Sequence, residues 1–76
     1  MTDNNLITRT GLALWGARWQ SEMAKTLNVR EDTVQDWRQG RSSIPNGVLE
    51  DLLKISWNRY YEIKRIIDVL GQEWSD

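Results

Sequence analysis

Eight of the ten residues from Arg30 to Gln39 are polar, and Arg30, Glu31, Asp32, Gln35, Asp36 and Gln39 stand among them beside Thr33 and Arg38. Glutamine donates and accepts hydrogen bonds through one planar amide, arginine presents a fork of donors, and a carboxylate only accepts. Such a set is suited to matching the hydrogen-bonding edge of a partner. It is poorly suited to breaking bonds, because the chain has neither histidine nor cysteine. That removes histidine bases, thiol nucleophiles, disulfide frameworks and the usual zinc sites together. Catalysis would need paired carboxylates or an activated lysine in a cleft, and a helical domain of 76 residues has little cleft to offer. No glycine-rich phosphate loop is present. The chain is expected not to be an enzyme and to need no cofactor or small-molecule ligand.

The elements that must carry these side chains are legible from Gln20 to Gln39. Ala24 is small, Asn28 is turn-forming, and Leu27, Val29, Val34 and Trp37 are apolar at the spacing two short helices need to cross steeply through a tight turn. This is the layout of a helix-turn-helix, whose second helix reads DNA. Helix two is expected from about Arg18, with Trp19, Met23 and Leu27 along one face and Ala24 beside them. Asn28 tolerates the left-handed backbone that a sharp exit requires. Helix three is expected over about 30–39, with Val34 and Trp37 inward, Glu31 and Asp32 complementing its first turn, and Gly40 ending it.

Around this motif the pattern predicts an all-α chain of five helices. Residues 1–7 are polar and expected to fray. Helix one, capped by Thr8 or Thr10, would turn Leu12 and Trp15 inward and stop at Gly16. Arg41 to Pro45 form a loop, Pro45 standing near a helix start. Helix four carries Ile44, Val48, Leu49, Leu52 and Leu53. Helix five is expected over about 56–70, closed by Gly71. Trp15, Trp19 and Trp37 are expected in the core, while Trp57 and Trp74 suit core or interface equally. Residues 1–76 make one domain, with 8–55 as its binding core and 56–76 as a C-terminal helix.

Net charge is −1, which counts against a strong non-specific nucleic-acid binder. Its distribution is uneven, however. Arg9, Arg18, Lys25, Arg30, Arg38 and Arg41 outnumber the acidic groups of residues 1–45, and the excess reverses beyond. No apolar run approaches membrane-spanning length and the first residues lack a signal pattern, so a cytoplasmic protein is expected.

Gln20, Ala24, Leu27-Asn28-Val29, Thr33-Val34 and Trp37, followed by Gly40-Arg41 and Ile44-Pro45, resemble the lambda-repressor/Cro-like class over roughly residues 8–55. The trailing Trp-x-x-Gly-Arg-x-x-x-Pro segment makes the likeness more specific than the two-helix pattern alone. The resemblance implies a small transcriptional regulator, often a repressor of its own operon in phages and other mobile elements. It also implies that Arg30, Glu31, Asp32, Gln35, Asp36 and Gln39 meet base edges of double-stranded DNA. Gln35 suits adenine N6 and N7, Arg30 suits guanine O6 and N7, and Glu31 or Asp32 can accept from cytosine N4. Phosphate contacts are expected from Arg18 and Gln20 at helix two and from Arg38, Arg41, Ser42, Ser43 and Asn46 beyond helix three.

Two departures from the family stand out. Arg30 occupies a place where Ser or Thr usually caps helix three, and three carboxylates lie on the face that would enter the groove. The acidic residues also suit a plain solvated face, or a scaffold converted into a protein-binding adaptor such as an antitoxin or phage inhibitor.

Helix five has a wide apolar arc formed by Tyr60, Ile63, Ile66, Ile67, Leu70 and Trp74, with Trp57 at its edge. An arc that broad exceeds what one neighbouring helix covers. A homodimer interface through Trp57, Tyr60, Ile63, Ile67, Leu70 and Trp74 is expected, the alternative being that Trp57, Tyr60 and Tyr61 cap a small monomeric core.

Overall fold

Every regular element among the described residues is helical. The computed structural model describes residues 4–74 and places α1 at Asn4–Trp15, a 3-10 turn at Gly16–Arg18, α2 at Trp19–Leu27, α3 at Glu31–Gln39 and α4 at Asn46–Trp74. The chain is all-α, as the pattern predicts. Residues 1–3 and 75–76, the ends of the expected domain, lie outside the described residues.

The turns follow from backbone chemistry. Asn28 sits at φ 59° and ψ 46°, the left-handed conformation expected of it. The Val29 amide then donates to the Ala24 carbonyl at 2.9 Å and the Asn28 amide to Lys25 at 3.2 Å. Gly40 at φ 77° repeats the device at the end of α3, with Arg41 donating to Asp36 at 2.9 Å and Gly40 to Trp37 at 3.2 Å. Both pairs satisfy carbonyls that a helix end leaves without partners. Each also reverses the chain sharply, and the first turns Val29 back against the core.

The core consists of Ile7, Trp19, Met23, Ala24, Val34, Trp37, Ile44 and Leu52, with Trp15, Leu27, Val29 and Val48 packed on it. Trp15, Trp19 and Trp37 thus take their expected places. The N-terminal helix does not: it begins at Asn4, so Thr8 and Thr10 lie inside it. Its inward stripe is Ile7, Gly11 and Leu14, one turn apart, and Ile7 is only 1% exposed. Leu12, expected inward, is 49% exposed because that register turns it outward. Gly11 is the point of closest approach. A Cβ there would enter the Trp19 indole.

The expected break between a fourth and a fifth helix is absent. The Ser56 hydroxyl donates to the Leu52 carbonyl at 2.7 Å, a bond made inside one continuous helix. Gly71, expected to end it, is followed by a further turn to Trp74. Of the apolar residues that enter or line the start of α4, Ile44 and Leu52 are buried and Val48 is half-buried. Leu49 and Leu53 are exposed. Twenty-nine helical residues span about 43 Å at 1.5 Å each. That accounts for most of the 52 Å long dimension, against 22 and 21 Å across.

One contact pins the middle of this helix. Arg59 Nη1 donates to the Leu14 carbonyl at 2.6 Å, in the last turn of α1. A cation at a helix C-terminus satisfies an otherwise orphan carbonyl and opposes the helix dipole. Arg59→Ala is expected to lower stability by about 1 kcal/mol, the group being 40% exposed. Thermal unfolding followed by circular dichroism checks this, and an unchanged Tm would show that the bond contributes nothing.

Candidate functional site

The polar face of α3 owes its direction to Val34 and Trp37. Both are buried, and with nine residues in the helix they leave one broad side outward. Arg30, Glu31, Asp32 and Gln39 are exposed on that side, while Gln35 and Asp36 are half-buried along it. Four of these six residues are exposed, and α4 from Leu53 onward buries none of its own residues. Five of the six expected base-reading residues therefore lie on one helix, with Arg30 at its N-cap.

Arg30 holds the N-cap position with φ −79° and ψ 151°, and its side chain makes no capping bond. Its carbonyl accepts from the Thr33 and Val34 amides at 3.0 and 3.4 Å. The chain thus forgoes a side-chain cap worth typically about 1 kcal/mol and places a guanidinium at the mouth of the helix instead. Glu31 and Asp32 in the first turn offset part of that cost through the helix dipole.

The carboxylates differ in their surroundings. Asp36 Oδ1 lies 3.6 Å from Arg41 Nη1, which partly neutralises it. The reversal at Gly40 makes this possible, since the bond from the Arg41 amide to the Asp36 carbonyl brings the two residues together. Spacing alone does not show the pair, because five residues apart on a continuous helix they would diverge. Arg41 keeps 68% of its side chain exposed in this pair. Among the described residues Glu31 and Asp32 make no ion pair.

The expected anion-binding groups fall at three places. Arg18 is exposed at the N-cap of α2 and Gln20 is half-buried in its first turn. Arg38, Arg41, Ser42 and Ser43 follow in succession around the end of α3, all exposed. Asn46 opens α4, where the Pro45 carbonyl accepts from Val48 and Leu49 at 3.0 and 3.2 Å.

The second exposed surface is the projecting part of α4. Trp57, Tyr60, Ile63, Ile67, Leu70 and Trp74 are all exposed, Trp74 by 88%. Trp57 and the two tyrosines contact one another rather than the core. Their ring centroids lie 5.6 Å (Trp57–Tyr60), 5.8 Å (Trp57–Tyr61) and 5.5 Å (Tyr60–Tyr61) apart. Each keeps more than half of its surface exposed. Beside them an open groove of about 580 Å³ runs between α1 and α4, lined by Leu6, Thr10, Ala13, Ser56, Tyr60 and Ile63 among others. Sequence reasoning missed the α1 side of this groove, having treated Leu6 as part of a frayed end.

Among the described residues no helix is long and apolar enough to cross a membrane, and no cluster of acidic groups is placed to hold a metal ion. Comparison with protein-family models, curated proteins and solved structures finds no match to this chain.

Proposed function

We propose that this chain is a sequence-specific DNA-binding transcriptional regulator of lambda-repressor-like helix-turn-helix type, acting as a homodimer on an inverted-repeat operator. One observation carries the proposal: α3 stands on a left-handed turn against α2, its apolar side sealed by Val34 and Trp37 and its polar side left open. An α-helix so presented fits the major groove, where base pairs display distinct patterns of donors and acceptors.

In that arrangement Gln35 reads adenine N6 and N7, and Arg30 reads guanine O6 and N7. Glu31 or Asp32 accepts from cytosine N4. Arg18, Gln20, Arg38, Ser42, Ser43 and Asn46 hold the phosphates on either side, with Arg41 shared between Asp36 and the backbone. Occupying a promoter in this way represses transcription by exclusion.

Selection of bound duplexes from a random pool tests the proposal directly. An enriched inverted repeat is expected. Gln35→Ala should then relax preference at one position per half-site by about 1–3 kcal/mol, leaving other positions unchanged. Unaltered discrimination would remove Gln35 from the interface.

A second reading, a protein-binding adaptor on the same scaffold, is favoured by the unpaired Glu31 and Asp32 at the tip of α3. Ionic strength separates the two. A reader with several phosphate contacts loses affinity by about 10³-fold or more between 50 and 200 mM salt. An adaptor retains no duplex even at low salt.

A further inference from the structure

The exposed side of α4 has an ordered repeat. Leu49, Leu53, Ser56, Tyr60, Ile63, Ile67, Leu70 and Trp74 follow one another at alternating intervals of four and three. A 3.5-residue period is the seam of a two-helix coiled coil. Its first half, from Leu49 to Ile63, lines the grooves between α1 and α4. Its second half projects past the core, where Ile67 and Leu70 are each 60% exposed.

We propose that the occupant of the α1–α4 groove is the distal end of α4 from a second copy of this chain, running antiparallel. The inference rests on the homodimer reading above and specifies its geometry.

Side-chain size fixes the register. Setting Ile63 against the second copy's Ile67 brings Tyr60 opposite its Leu70 and Ser56 opposite its Trp74. On the flank, Trp57 then meets Gly71 of the second copy. The two smallest residues along this surface thus receive the two largest. Gly71 is otherwise unexplained: a Cβ there would touch nothing within 4 Å, yet glycine costs about 1 kcal/mol relative to alanine in a helix interior. An indole lying across the second helix gives that gap a use.

Charge agrees with the same orientation. Arg59, anchored by the Leu14 carbonyl, comes opposite Glu73 of the second copy. A parallel pair would instead set Arg59 against the second copy's Lys64 and stack Trp74 on Trp74, leaving the groove beside α1 empty. The two Lys64 side chains do meet at the antiparallel two-fold axis, but each already lies 3.8 Å from its own Asp68. The seam offers exposed apolar side chains along its length, with Leu53 at 58%, Ile67 and Leu70 at 60% and Trp74 at 88%. The two Leu52 residues, one in each core, would stand about 40 Å apart along the paired helices at 1.5 Å per residue.

The chain has no cysteine, so single introduced thiols report orientation cleanly. Lys64→Cys, at the two-fold axis, is expected to yield a covalent dimer with a short bifunctional thiol reagent. Ser56→Cys should not, because its copies would lie about 27 Å apart. Gly71→Leu should weaken dimerisation at least tenfold by sedimentation, although leucine is the better helix former. Cross-linking through Ser56→Cys alone identifies a parallel pair, which overturns this inference and leaves the dimer intact. Cross-linking of both variants, or of neither while the native chain dimerises, also overturns it. A native chain that sediments as a monomer overturns the inference and the homodimer reading together. Association unchanged or tightened by Gly71→Leu overturns the register.

Discussion

Gly11→Ala is expected to unfold this chain at temperatures where the native protein is fully folded. The added methyl would occupy the position of the Trp19 indole, whose Cγ lies 2.8 Å from the ideal Cβ and whose fused ring lies closer still. Trp19 is 6% exposed and surrounded by Ile7, Met23 and other core residues, so it has nowhere to retreat. Overpacking typically costs 1–3 kcal/mol, and displacement of a buried tryptophan puts this case at about 3 kcal/mol or more. A domain this small has little stability in reserve. The Tm should therefore fall by roughly 12 °C or more, at 4–8 °C per kcal/mol. Gly47→Ala is the control, since a Cβ at Gly47 meets nothing within 4 Å. That variant should match the native Tm or exceed it. Calorimetry or far-ultraviolet dichroism reads both, and a native Tm for Gly11→Ala would mean that α1 and α2 do not approach at this point.

Gly11 also shows where sequence reading stops. Glycine within a helical pattern reads as a weak point, and nothing local reveals that a neighbouring ring needs the space. The same limit explains why Leu12 looked like the core residue of α1 and proved exposed. Which face turns inward depends on Gly11 meeting Trp19 of α2 and on Ile7 entering the core, and Ile7 follows a polar run that reads as a fraying end. By contrast Asn28 and Gly40 were legible because the left-handed conformation is a local demand that few residues meet. Val34 and Trp37 were legible for a similar reason: on a nine-residue helix two large apolar residues three apart leave one choice of inward face.

Ser56 and Gly71 misled in another way. Each residue type favours helix ends, but a helix stops when its backbone finds a better arrangement, and no proline or left-handed residue lies between Asn46 and Trp74 to supply one. Leucine, glutamate, lysine and arginine around them sustain the helix. Recognising one long helix changes the meaning of its apolar residues. Divided in two, they make a helix for the core and a broad-faced companion; joined, they make a continuous seam with period 3.5. On α3 the identity of the outward residues was legible, whereas the Asp36–Arg41 pair was not, because it depends on the reversal at Gly40.

Ile67→Asp is expected to separate dimerisation from folding, and with it the affinity for a paired operator from that for a half-site. Ile67 is 60% exposed and far along α4 from the core, so the substitution should leave the Tm of the isolated chain nearly unchanged. In the associated state it would set a carboxylate in the apolar seam, twice per dimer about the two-fold axis, where burying an unpaired charge is strongly unfavourable. Sedimentation should then report a monomer at concentrations where the native chain is a dimer. The consequence for DNA is larger than the loss of one contact. Two linked recognition helices bind an inverted repeat with the second event made intramolecular, and removing that link costs about 10²- to 10⁴-fold. Affinity for a single half-site should stay within a few-fold of native, because Arg30, Gln35 and the groups proposed to hold phosphates are untouched. A variant that remains dimeric would remove Ile67 from the interface. A monomeric variant that keeps full affinity for the inverted repeat would show instead that each helix-turn-helix unit acts alone, and that the apolar side of α4 serves some purpose other than pairing two readers.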